Sequence, residues 1–234
     1  MKIIIVENAA VGSHKAYNLL VQGLQTQAWV LGLATGSTPI LLYQEMAHSE
    51  LDFSHITTIN LDEYLGLDAN NPQSYHYFMK QHLFQFKSFS KNYLPNGLAP
   101  DINQELQRYD QVIADHPIAI QILGIGQNGH IGFNEPGTSF QSQTHCVTLS
   151  SSTRAANARF FPNKQAVPQK AISMGLSSIM HSKHIILMAW GKEKAEAVSQ
   201  MINGPLTEKC PASILQKHPH TTIILDSAAA TKLN

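Results

Sequence analysis

IAIQILGIGQNGHIGFNEPG, residues 118–137, joins an apolar run to a loop of glycines, amides, a histidine and a glutamate. The first six residues are almost continuously apolar, which suits a strand covered on both faces of a sheet. The loop sets Asn128, His130 and Glu135 among glycines, whose ordering costs more entropy than a merely structural loop need lose. Such a loop at the end of a buried strand is usually held over something. In an open α/β sheet ligands sit beyond the carboxyl ends of the strands. One stretch therefore points to an architecture and to the edge of it that carries the site.

Working outward, KIIIV (2–6), WVLGLA (29–34), ITTINL (56–61), HIILMAW (184–190) and TTIILD (221–226) read as further buried strands. Helical character falls between them, over residues 9–27, 39–50, 101–115 and 192–202. The βαβα alternation predicts an open α/β sandwich. The length fits one domain, residues 1–234. Residues 150–172 are polar and irregular, with two arginines and two prolines. They are expected to form either a movable flap or a surface excursion without a catalytic role.

Composition excludes several function classes. Lys+Arg and Asp+Glu are both 16, and the formal net charge is zero, which argues against a broad surface for nucleic acid or anionic membrane. The opening MKIIIVENAA has too short an apolar run for a signal peptide, and no stretch is long enough to span a membrane. Cys146 and Cys210 stand far apart without a CxxC spacing. Reduced thiols and a cytoplasmic location are expected.

The chemical groups gather after the strands. In LGLATGSTP (31–39), Gly36 permits a tight turn, Ser37 or Thr38 is placed to cap a helix, and Pro39 opens it. This is either a phosphate-sized anion site at a helix start or an ordinary capped turn. It is neither GxGxxG nor a Walker loop. In NLDEYLGL (60–67), Asp62 and Glu63 are adjacent, so only one of them faces a cleft. A partly desolvated carboxylate there suits a general base; capping of the next segment is the plainer alternative. In the opening loop, His130 has the ionisation of a proton shuttle and Glu135 is suited to orient it. HxxxxE is not a zinc spacing, and no metal or cofactor is expected. Arg154, Arg159, Lys192 and Lys194 are suitable phosphate partners.

Taken together, LGLATGSTP, NLDEYLGL with SYHYFM after it, GIGQNGHIGFNEPG and TRAANARFFPN resemble, in order, the glucosamine-6-phosphate deaminase family. The resemblance implies a three-layer α/β sandwich with a Rossmann-like, mostly parallel sheet and a small flap over the strand carboxyl ends. It implies conversion of D-glucosamine 6-phosphate and water to D-fructose 6-phosphate and ammonia, without metal or cofactor. Asp62 would take the C2 proton. His130 would open the ring, with Glu135 and Asn128 setting its orientation. Gly36, Ser37, Thr38, Arg159 and Lys194 would hold the phosphate. The glycines of the 124–137 loop are expected to let the backbone crowd the sugar.

Two departures follow from the same comparison. Some members have an acid where this chain has Asn128; an amide can hold His130 but cannot shift its proton affinity by charge. Exchange of Asn128 for aspartate is expected to raise the acid-side tolerance of the rate only slightly. Longer members have a basic pair after the FNEP segment, for an allosteric N-acetylated sugar phosphate. Here GTSFQSQTHCVTL (137–149) has no Lys or Arg, and the chain ends soon after TTIILD. A monomer with hyperbolic kinetics and no such effector is expected. The rival readings are a 6-phosphogluconolactonase, which would not need Asp62, and a sugar-phosphate sensor, which would need a DNA-binding segment before residue 2.

Overall fold

The computed structural model describes residues 1–26 and 29–233; the last residue of the expected helical segment 9–27 lies outside this range. In chain order the elements are β1 (Lys2–Val6), α1 (Ala9–Gln25), β2 (Val30–Leu33), α2 (Ile40–His48), β3 (Thr57–Asn60), β4 (Asp62–Tyr64) and α3 (Tyr75–Met79). Then come β5 (Lys91–Tyr93), α4 (Ile102–Asp115), β6 (Ile120–Leu123), β7 (His145–Thr148), α5 (Ser151–Asn157), β8 (Lys170–Ser173), α6 (Leu176–Met180), β9 (His184–Ala189), α7 (Ala195–Asn203) and β10 (Thr221–Asp226).

The central sheet has the order β1-β10-β9-β6-β2-β3-β5, with every neighbouring pair parallel. It is a mostly parallel α/β sheet flanked by helices, as the strand pattern predicts. Leu31, Leu33, Ile122, Leu123, Ile186, Leu187, Ile223 and Ile224 are fully buried. That burial on both faces is why these strands read as unbroken apolar runs.

KIIIV departs from its expected burial. Among the described residues β1 pairs only with β10, at the sheet edge, and Ile3 and Ile5 are 41% and 57% exposed. A second sheet, β4-β8-β7, is antiparallel. It begins where the chain leaves β3 at Asn60 and turns through Leu61, whose N–H donates to Leu33 O and whose carbonyl accepts from Met174 N. The flap region contains α5, two short 3-10 turns (Ala158–Phe160 and Lys164–Ala166) and the start of β8. No helix among the described residues is long and apolar enough to cross a membrane.

Candidate active site

Asn128, His130 and Glu135 are brought together by a loop that doubles back on itself. Gly126 N donates to His130 O, and Gly129 N donates to Gly126 O. A Cβ on Gly126 would lie 2.2–2.5 Å from the His130 ring, so this glycine makes room for the imidazole. Gly124, Gly126 and Gly132 also line the cleft, so the role of Gly126 toward the imidazole stands beside the expected approach of the backbone to a sugar. A Cβ on Gly129 would meet Cys210, and one on Gly132 would meet Ser173 and Asp62.

The three side chains form a relay. Asn128 Nδ2 donates to Glu135 Oε2 at 2.8 Å, and His130 Nδ1 donates to Asn128 Oδ1 at 2.7 Å. The Glu135 carboxylate can only accept, which turns the amide so that its oxygen faces the ring. The proton is thereby fixed on Nδ1 and the lone pair on Nε2. Glu135 Oε1 accepts from Ser150 N at 3.1 Å, and Ser150 Oγ caps α5 by accepting from Thr153 N. Glu135 thus ties the relay to the first turn of the flap. Burial holds His130 down to about 4, with Glu135 pulling its proton affinity up and Lys194 pushing it down.

Asp62 lies at the start of β4 and is 6% exposed. Its carboxyl has no hydrogen-bond partner among the described residues, and it lines the same cleft as Asn128 and His130. Burial first, and the adjacent Glu63 second, push its pKa well above the usual carboxylate range. Glu63 faces away, as the strand alternation requires. It is 1% exposed and accepts from Tyr64 N, Tyr75 N, His76 N and His76 Nδ1 at 2.8–2.9 Å. Glu63 therefore clamps the start of α3 onto the strand that carries Asp62.

Thr35, Gly36, Ser37 and Thr38 line the other side of the cleft, whose volume is about 420 Å³. Gly36 has φ +87°, a left-handed conformation that a side chain would strain. The expected Ser or Thr cap is not made: Pro39 occupies the N-cap position and no side chain caps α2. The Ser37 hydroxyl instead accepts from Arg159 Nη2 at 3.3 Å, reaching across from the flap. Lys194 also lines the cleft and donates to Ile125 O at 2.9 Å. Burial lowers its pKa, Glu193 raises it, and Arg159 lowers it. The structure separates the four basic candidates. Arg154 donates back to Val167 O, and neither it nor Lys192 lines the cleft.

Several lining residues were not singled out by sequence reasoning. Tyr75, Phe133 and Trp190 line the cleft, as do Thr153 and Asn157 of the flap. Asn157 Nδ2 donates to Tyr64 OH at 2.8 Å, and Phe161 meets the Tyr64 ring edge-on. The flap is thereby seated on the small sheet. The SYHYFM motif contained Tyr75, but only the fold shows that this ring turns inward.

Residues 9–224 match the family model of glucosamine-6-phosphate isomerases and 6-phosphogluconolactonase. The chain is similar to proteins named glucosamine-6-phosphate deaminase from Leuconostoc citreum, 58% identical over 233 residues, and from Streptococcus pyogenes serotype M3, 59% identical over 234 residues. Each match covers 100% of both chains. A solved structure of a monomeric glucosamine-6-phosphate deaminase superposes with a TM-score of 0.97 at 44% identity, covering 99% of this chain and 100% of that one. The 6-phosphogluconolactonase from Trypanosoma brucei, at 16% identity and a TM-score of 0.81 over 100% of this chain and 98% of that one, shares the fold. The chain belongs to the glucosamine-6-phosphate isomerase/6-phosphogluconolactonase family.

Proposed function

We propose that this protein is a glucosamine-6-phosphate deaminase, converting D-glucosamine 6-phosphate and water to D-fructose 6-phosphate and ammonia. The observation that carries the reading is an unpartnered, buried Asp62 in one cleft with a histidine whose Nε2 lone pair is fixed by the Asn128–Glu135 relay. The full-length likeness to relatives of that name supports it.

His130, neutral near pH 7, accepts the C1 hydroxyl proton on Nε2 and returns a proton to the ring oxygen, opening the pyranose. Asp62 then removes the weakly acidic C2 proton. A raised proton affinity makes it a stronger base than an exposed carboxylate. The enolamine formed is reprotonated at C1 by the acid form of Asp62, which restores the base. Water adds to the resulting C2 imine, and ammonia leaves. The C1 aldehyde takes up the electron pair released at C2, and the amine lone pair drives reprotonation at C1, so the steps call for no cofactor. The phosphate is held by the Gly36–Thr38 backbone, Arg159 and Lys194. The Arg159 charge lowers the proton affinity of Lys194, and a phosphate dianion between the two side chains relieves that repulsion. This remote anchor orients the reacting carbons.

The chain acts as one catalytic unit in the cytoplasm, with residues 150–172 as its flap, in amino-sugar breakdown. It works as a monomer with hyperbolic kinetics. Residues 137–149 carry no Lys or Arg to pair with an anionic effector, and the similar solved deaminase is described as monomeric. The direct test is ammonia release from glucosamine 6-phosphate by the purified protein. Binding of the sugar phosphate without ammonia release overturns the reading. Sigmoidal saturation relieved by N-acetylglucosamine 6-phosphate overturns the unregulated form.

A further inference from the structure

Trp190 follows β9 directly, and its indole reaches across to the phosphate loop. Nε1–H donates to the Thr38 carbonyl at 3.0 Å, a partner 152 residues away. The ring lines the cleft on one side. On the other it packs against α1, where a Cβ on Gly12 would come within 2.4 Å of Cη2 and 2.7 Å of Cζ3. The next residue, Gly191, is fixed as well. Its N–H donates to both carboxylate oxygens of Asp226, at 3.1 and 3.0 Å, at the end of β10. Three residues further on, Lys194 reaches Ile125 O. The segment 190–194 is thus pinned at both ends, with one pin set on the loop that carries Gly36 and Ser37.

We propose that Trp190 is a positioning residue for phosphate binding, bracing the Thr35–Thr38 loop against the segment that carries Lys194, with Gly12 as the slot that admits its ring. This rests on the cleft being a sugar-phosphate site. The brace acts on the anchor and not on the reacting carbons. Its loss is therefore felt as weaker binding of phosphate, with the proton chemistry of Asp62 and His130 left intact.

Two variants on different elements test it. Trp190→Phe keeps the packed ring and loses the N–H. Gly12→Ala keeps α1, in which alanine is the better helix former, and drives the indole off its seat. Each should raise the KM for glucosamine 6-phosphate and the calorimetric Kd for inorganic phosphate by about fivefold to tenfold, the worth of one net hydrogen bond. The kcat and its pH profile should be unchanged. The chain has two tryptophans, and Trp29 is 55% exposed. In a Trp29→Phe background, Trp190 is the sole indole, and its emission should titrate with phosphate at the calorimetric Kd. Unchanged phosphate affinity in both variants overturns the proposal, as does a fall in kcat at constant KM. An emission that ignores phosphate while calorimetry records binding overturns it too. If the wild type binds neither phosphate nor the sugar phosphate, the reading of the cleft itself fails, a result distinct from these.

Discussion

His130 Nδ1 and Glu135 Oε2 lie 3.9 Å apart because the Asn128 amide stands between them. The carboxylate does not touch the ring. It acts by orienting an amide, which in turn fixes the tautomer. An Asp at position 128 would meet Glu135 carboxylate to carboxylate, and one of the pair would have to hold a proton. The amide allows the relay to be neutral at one link and fully hydrogen-bonded at both.

Glu135→Gln therefore removes the acceptor-only end of the relay. One of its two partners, Ser150 N or Asn128 Nδ2, then faces an NH₂ group, and the direction of the amide is no longer enforced. The expected outcome is a fall in kcat of about a hundredfold, the lower range of a general acid–base contribution. Nitrogen NMR of the His130 ring should show mixed tautomers in place of a single Nδ1–H form. A variant that retains one tautomer and full kcat would remove Glu135 from the relay.

Asp62→Asn should separate activity from stability. The amide cannot accept the C2 proton, and kcat should fall by roughly a hundredfold or more. The folded state also raises the affinity of Asp62 for a proton. Its contribution to stability is thus greatest below the unfolded carboxylate range and is lost as pH rises through the raised value. At neutral pH the buried, unpartnered charge destabilises the native state, and the neutral amide does not. The variant should melt a few degrees higher than wild type at pH 7.5. Calorimetry that finds it less stable would contradict the burial argument.

The acid limb of kcat/KM belongs to Asp62 under the same reasoning, because the base must be ionised to act. The limb should lie above the ordinary carboxylate range. The Glu63 carboxylate is the second cause of that displacement. Glu63→Gln should move the limb to lower pH while lowering the melting temperature, since Glu63 accepts three backbone N–H groups and His76 Nδ1. A profile that stays in place would separate Asp62 from the limb.

These sites differ in how far the sequence discloses them. The apolar runs of the inner strands were legible because parallel strands buried on both faces leave an unbroken signature, and KIIIV was legible as a strand although it lies at the exposed edge. β4, β5, β7 and β8 were not: each has only three or four residues and is interrupted by charged or polar side chains. The relay was legible because its members lie within one loop. Trp190 was not, since it reads as the last apolar letter of HIILMAW and its partner is a carbonyl in another loop. Gly126 was visible as a glycine, but its purpose depends on a ring four residues later folding back over it.

His130 supplies the remaining prediction, which concerns stability in acid. Its folded pKa is about 4, against about 6.5 in an unfolded chain. Between those values the unfolded state takes up the proton first, and stability is lost as pH falls from about 6.5 toward 4. Replacement by Gln removes that proton uptake while leaving every other titrating group in place. The melting temperature of wild type should therefore drop further than that of His130→Gln between pH 7.5 and pH 5, by on the order of a few °C for a chain of this size. The comparison is internal, so losses shared by all carboxylates cancel. Equal drops in the two proteins would mean that His130 is protonated as readily in the folded cleft as in water, and the relay would then hold an imidazolium below about pH 6.5 in place of a free base.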